Sequence, residues 1–192
     1  MSGVVSVLRR AGELLVEPAP MTRLPSAAPL EVVVTALAAG AGATAVSRGL
    51  AIALRRLRPV ELTGIGTSGA VAAGPGTAVV RDTAPADASL LCHRGPGRVL
   101  VAVADARREP ALAALVLEVL AKRNERVVLV GNRVRDVDAW RRHGAICVPE
   151  SRLGAWLVDR GRRPPGAMGA AFDALARRSG SIAEHGPDNA TR

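Results

Sequence analysis

The chain has 192 residues, 48% apolar, 22% charged and 2% aromatic, with a formal net charge of +9. That composition suits one globular domain with a real core and excludes a disordered or fibrous chain. Phe172, Trp140 and Trp156 are the whole aromatic set, which builds the core from Ala, Val and Leu and argues against base-stacking platforms for single-stranded nucleic acid.

Residues 4–16 read as a short amphipathic helix, with Val5, Leu8, Leu15 and Val16 set against Arg9, Arg10 and Glu13. Pro18, Pro20, Pro25 and Pro29 follow, so residues 1–30 form a helix and linker ahead of the domain. From Glu31 onward short β-branched runs alternate with longer Ala/Leu-rich helical ones, the pattern of stacked βα units. Strands are expected at 32–36, 60–64, 78–81, 99–103, 127–130 and 145–148. Helices are expected at 44–56, 85–91, 110–122, 136–142, 151–159 and 165–178. Pro110 suits a first helical position, Ser151 an N-cap, and Gly161 a helix end. The fold class is therefore a single three-layer α/β domain over residues 31–178, with a mainly parallel sheet flanked by helices. The glycine-rich stretch 64–76 is either a mobile active-site loop or a plain flexible connection, the second being the default, and the small, polar residues 179–192 read as a disordered tail.

Of the 26 basic residues only Lys122 is lysine. Such charge attracts nucleic acid, anionic lipid or an acidic partner, but replacing Lys by Arg is also what a GC-rich coding sequence produces. The pairs Arg55/Arg56, Arg107/Arg108, Arg141/Arg142, Arg162/Arg163 and Arg177/Arg178 are scattered near helix ends, which favours solvated helix termini. Cys92 and Cys147 sit in or beside apolar runs and read as buried thiols of a reducing cytoplasm. The stretch 32–46 is too short to span a bilayer, and the N-terminus lacks a signal core, so a soluble cytoplasmic protein is expected. His93, His143 and His185 share no ligand spacing, and no G-x-S-x-G context supports a hydrolase triad.

The chemistry concentrates after the first strand of the domain. In EVVVTALAAGAGATAVSRGLAIAL a buried strand, a glycine-rich turn and an amphipathic helix follow one another, aiming backbone N–H groups and a positive helix end at one spot. Gly40, Gly42 and Ala45 match the dinucleotide pattern G-x-G-x-x-A, with Glu61 placed about twenty residues on as a ribose-binding acid. However, Thr35 to Ala39 intervene between the strand and the first glycine.

A second reading comes from resemblance. Ala38-Ala39-Gly40-Ala41-Gly42-Ala43-Thr44 resembles the K-G-G-x-G-K-T loop of the MinD/ParA-like P-loop ATPases, with Ala38 and Ala43 where the two lysines would stand. Lysine-poor loops also occur in the CpaE/TadZ group and in septum-site-like proteins of actinobacteria. Val79 to Pro85 is similar to the strand ending D-T-x-P, Val127 to Val134 to the V-V-N-R-V strand end, and Ile146 to Ser151 to the closing I-P-x-S segment. The similarity covers about residues 30 to 178, in consistent order, with the switch region between Leu62 and Val79 trimmed.

The resemblance implies ATP with magnesium, held by Gly40, Ala41, Gly42, Ala43, Thr44 and Ala45 at the phosphates and by Asn132 and Pro149 at the base. Thr44 and Asp82 would meet magnesium, and Asp82 would lie near the attacking water. With both lysines missing, weak or no hydrolysis is implied, and a role by interaction: a positioning or scaffold component of division, partition or pilus-type secretion, with a protein partner and a homodimer in prospect. Arg48, one helical turn past Thr44, and Arg81, beside Asp82, are the local candidates to replace the lost charge, a role the resemblance does not give them. Taken singly, the glycines are also tight-turn residues, Thr44 and Asp82 caps, and Asn132 a turn former. An NAD(P)-binding Rossmann enzyme and an Arg-rich DNA- or membrane-surface module are the alternatives.

Overall fold

A computed structural model describes residues 29–64, 76–83, 97–107, 110–123 and 126–185. The expected helices at 4–16 and 85–91 and the connection at 65–75 lie outside the described residues. Among the described residues six strands form one parallel sheet: β1 (Leu30–Ala36), β2 (Val60–Gly64), β3 (Ala78–Thr83), β4 (Arg98–Asp105), β5 (Val127–Val134) and β6 (Ile146–Pro149). The helices among the described residues are α1 (Ala43–Leu54), α2 (Pro110–Arg123), α3 (Val137–Arg141), α4 (Arg152–Asp159) and α5 (Gly166–His185).

The spatial order is β2-β3-β1-β4-β5-β6, with every pairing parallel. Parallel sheets are covered on both faces, which explains the near-continuous apolar runs of β1, β4 and β5. On one face Val32, Val34, Val80, Val101, Val103 and Val130 join Val46 and Leu50 of α1 and Phe172 and Leu175 of α5. On the other, Val33, Leu100 and Ala102 pack with Leu120 of α2, and Leu129 with Trp140 of α3. The domain is a single three-layer α/β fold.

The expected caps are present. The Ser151 hydroxyl accepts from Gly154 N–H at 3.0 Å, and Gly161 (φ +69°) ends α4, with Arg162 N–H donating to the Leu157 carbonyl at 2.8 Å. The expected tail boundary is corrected: α5 runs through His185 instead of stopping at 178. Ser179 is fully buried and Ala183 packs against the core, continuing the stripe of Phe172, Leu175 and Ala176 at helical spacing.

Many of the arginines are engaged within the fold. Arg48 pairs with Asp159 at 2.8 Å, Arg98 and Arg81 with Glu31 at 2.6 and 3.2 Å, and Arg163 with Asp173 at 2.5 Å. Among the described residues no helix is long and apolar enough to cross a membrane.

Candidate anion site at the carboxyl edge

The connection from β1 through α1 leads toward β2 on one side, while that from β4 through α2 leads toward β5 on the other. The carboxyl ends of β1 and β4 therefore flank the topological switch point, where open α/β sheets bind ligands. Residues 37–42 fill that position.

This loop is built on short hydrogen bonds and two left-handed glycines. Leu37 N–H donates to the Val103 carbonyl at 2.9 Å, and Ala41 N–H to the Ala38 carbonyl at 3.2 Å. Gly40 and Gly42 have φ of +76° and +87°, conformations that cost other L-residues energy. Gly42 is the N-cap of α1 without any side-chain cap bond, and Thr44 is exposed on the first turn. The first N–H groups of α1 have no intrahelical acceptor, and the helix dipole adds positive potential beside them.

The end of β5 grips the loop. The Asn132 side chain, 6% exposed, donates through Nδ2 to the Ala41 carbonyl at 2.8 Å. Arg133 is the one described non-glycine residue with positive φ, at +63°, and it stands at a bulge: Asn132 opposes Val148 and Val134 opposes Pro149, so Arg133 is the extra residue. Bulges re-aim side chains, and this one turns the Arg133 guanidinium onto the Gly40 carbonyl and, at 3.1 Å, onto Asp105 Oδ2. Asp105 ends β4 beside Asn132 and is 8% exposed. Arg107 grasps it with its backbone N–H at 3.0 Å and with Nε and an NH2 group at 3.0 and 2.7 Å.

Those bonds from Arg107, followed by the charge of Arg133, hold the Asp105 carboxyl below its ordinary value against the opposing effect of burial. A depressed folded pKa adds stability that is present above the unfolded carboxylate value, about 3.9, and is lost as pH falls through the folded one. Urea unfolding of wild type and Asp105→Asn should accordingly differ at pH 7, and the gap should close as pH drops from about 5 to about 2.

Next to this cluster lies a cleft of about 460 Å³ lined by Arg107, Arg133, Arg135, Asp136, Pro110 and Trp140, with Ala106 and Ala139. Its volume is in the range of small-molecule sites. Trp140 forms part of the lining because Gly131 leaves room for it: a Cβ there would stand 2.8 Å from the indole. Asp136 caps α3 by accepting from Ala139 N–H at 3.1 Å, and Arg135 pairs with Glu150 at 2.8 Å.

On the other side of β1, Asp82 lies near the end of β3 opposite Val34 and is 6% exposed. Its Oδ1 is buried with no hydrogen-bond partner among the described residues. The neighbouring Thr83 hydroxyl donates to the Val34 carbonyl at 3.1 Å.

The structure thus gathers Gly40, Ala41, Gly42, Ala43, Thr44, Ala45 and Asn132 at one place, with Asp82 on the adjacent strand. Pro149 sits at the end of β6, farther along the same edge. The Asn132 amide nitrogen fastens the loop at the Ala41 carbonyl. Glu61 does not come to the glycines: it is the second residue of β2, on a strand that β3 separates from β1. Nor do the expected substitute cations arrive, since Arg48 is tied to Asp159 and Arg81 to Glu31. Asp105, Arg107, Arg133 and Arg135 carry the site's charge instead. Their signal in the sequence is polar residues following directly on apolar strands, in Ala104-Asp105-Ala106-Arg107 and Gly131-Asn132-Arg133.

The magnesium implied by resemblance finds a partial donor set, the orphaned Asp82 oxygen and the exposed Thr44 hydroxyl. Among the described residues no group of three or more His, Cys, Asp or Glu could hold a metal by itself. Compared with known proteins, the chain matches no family model, no curated protein and no solved structure.

Proposed function

We propose that this protein is a degenerate MinD/ParA-like nucleotide-binding protein that hydrolyses ATP weakly or not at all and acts through a protein partner, as a cytoplasmic positioning or scaffold component. The observation that carries the reading is the glycine loop of β1 at the switch point, opening directly into α1 and gripped from β5 by Asn132. Backbone amides at a helix start suit phosphate, and the unpartnered Asp82 carboxylate suits a metal accompanying it. A charge-assisted contact to phosphate contributes roughly 1.5–3 kcal/mol, so Ala43 in place of lysine weakens binding and leaves transition-state charge unneutralised.

The dinucleotide alternative draws less support. Its usual order is 3-2-1-4-5-6, which brings the second strand and its acid beside the first; here β3 takes that place and Glu61 is displaced. The arginines that pair within the fold likewise weigh against a dedicated nucleic-acid or membrane face.

Titration with ATP and with NAD decides between the first two. ATP should bind in the presence of magnesium with little turnover above a Thr44→Ala, Asp82→Ala control. Ala43→Lys should tighten ATP binding by about tenfold or more, the equivalent of one charge-assisted contact. NAD binding that Ala43→Lys weakens, with ATP affinity unchanged, would overturn the proposal.

A further inference from the structure

The loop lacks the cations its resemblance calls for, yet one guanidinium group touches it and two more line the cleft that this arginine shares. Arg133 touches the loop at the Gly40 carbonyl and also lines the cleft beyond it, together with Arg107 and Arg135. The carboxylates that pair with these three arginines, Asp105 with Arg107 and Arg133 and Glu150 with Arg135, are not among the residues lining the cleft. Only Asp136 brings negative charge to the lining, and one of its oxygens is already engaged as the cap of α3. The cleft accordingly presents cations inward and keeps most of its anions behind them.

Arg133 is the one of the three that joins the loop to the cleft. Asp105 receives bonds from the Arg107 backbone, Nε and NH2, so it stays neutralised if Arg133 leaves its single 3.1 Å contact. The Arg133 Nε is buried without a hydrogen-bond partner among the described residues, and the residue adopts a left-handed backbone that favours glycine. A strained backbone and a bulge on one residue that lines a cleft are features of a ligand-binding position.

We infer that the cleft between the β4–α2 and β5–α3 turns is a polyphosphate subsite, in which Arg133 replaces the missing loop lysine and Arg107 and Arg135 neutralise the remainder of the chain. Guanidinium groups suit this role because their planar forks bond phosphate oxygens in pairs. The ligand class is a polyphosphate chain, either the tail of a nucleoside triphosphate or an inorganic polyphosphate. The inference rests on the nucleotide reading for the first source and stands without it for the second.

Calorimetric titrations with magnesium-ATP, inorganic tripolyphosphate and adenosine, at low and physiological salt, test it on wild type, Arg133→Gly, Arg133→Lys and Gly42→Ala. Wild type should bind tripolyphosphate with an affinity that falls as salt rises. Arg133→Gly should lose about tenfold or more for both phosphate ligands while unfolding at the same temperature or higher, because glycine accepts the +63° φ without strain. Arg133→Lys, which keeps the charge and loses the planar fork, should bind more weakly than wild type and more tightly than Arg133→Gly. Tripolyphosphate binding by Arg133→Gly equal to that of wild type would overturn the subsite. ATP binding that Gly42→Ala abolishes and Arg133→Gly leaves intact would overturn it as well, while keeping the nucleotide reading. Tripolyphosphate bound as tightly as ATP, with adenosine inert, supports the subsite and removes the nucleoside from the proposed function. Wild type that binds no phosphate ligand would overturn both.

Discussion

Gly42→Val should be the most damaging single change at the loop, lowering stability by about 2–4 kcal/mol and abolishing any ligand binding there. Two costs combine. A β-branched residue cannot hold φ of +87° without strain, and a Cβ at this position collides with the Asn132 amide nitrogen, which is fixed by its 2.8 Å bond to Ala41. The two are separable by a double-mutant cycle. In an Asn132→Ala background, Gly42→Ala should keep the backbone strain and lose the collision, so its cost should fall by about 1 kcal/mol or more. Urea unfolding of the four proteins measures this directly, and additive costs would show that Asn132 does not brace the loop.

Phe172→Ala should destabilise the domain by about 3–5 kcal/mol, roughly a 6–20 °C fall in Tm for a chain of this size. Phe172 is the only phenylalanine, 2% exposed, and its ring lies directly over Gly49 of α1, so one aromatic residue joins α5 to α1 above the sheet. The converse change, Gly49→Ala, forces a Cβ into that ring and should cost about 1–3 kcal/mol. Combined with Phe172→Ala, the same substitution should become neutral or stabilising, because the space is then open and alanine favours the helix by about 1 kcal/mol over glycine. Thermal melts of the single and double variants check the sign reversal.

The elements were legible in the sequence because their signals are local. The apolar runs of β1 and β4, Pro110 at the start of α2 and Ser151 before α4 each state their structure within a few residues. The glycine loop was legible for the same reason, since two glycines between a strand and a helix have few other uses. What was hidden depends on pairing across strands. Arg133 acquires its aim from a bulge, which exists only because β6 offers one residue where β5 offers two. Glu61 was misplaced because the identity of the neighbour of β1 is decided by crossover connections, and β3 excludes β2 from that position. The helical course of Ser179 was concealed by its polarity, although Ala183, four residues on, continues the same face.

The strand order also shapes how the chain emerges during synthesis. β1 is made first among the described strands, but both its neighbours, β3 and β4, are made later, and the nearest in sequence begins only at Ala78. For that interval a nearly uninterrupted apolar segment, Leu30–Ala36, has both hydrogen-bonding edges open while β2 has no partner to join. Pairings across such sequence separations close slowly, and open apolar edges invite association with other chains. Nascent protein halted before residue 78 should therefore be captured by holdase chaperones, and release should follow once β4 has left the ribosome and the central strand is enclosed on both sides.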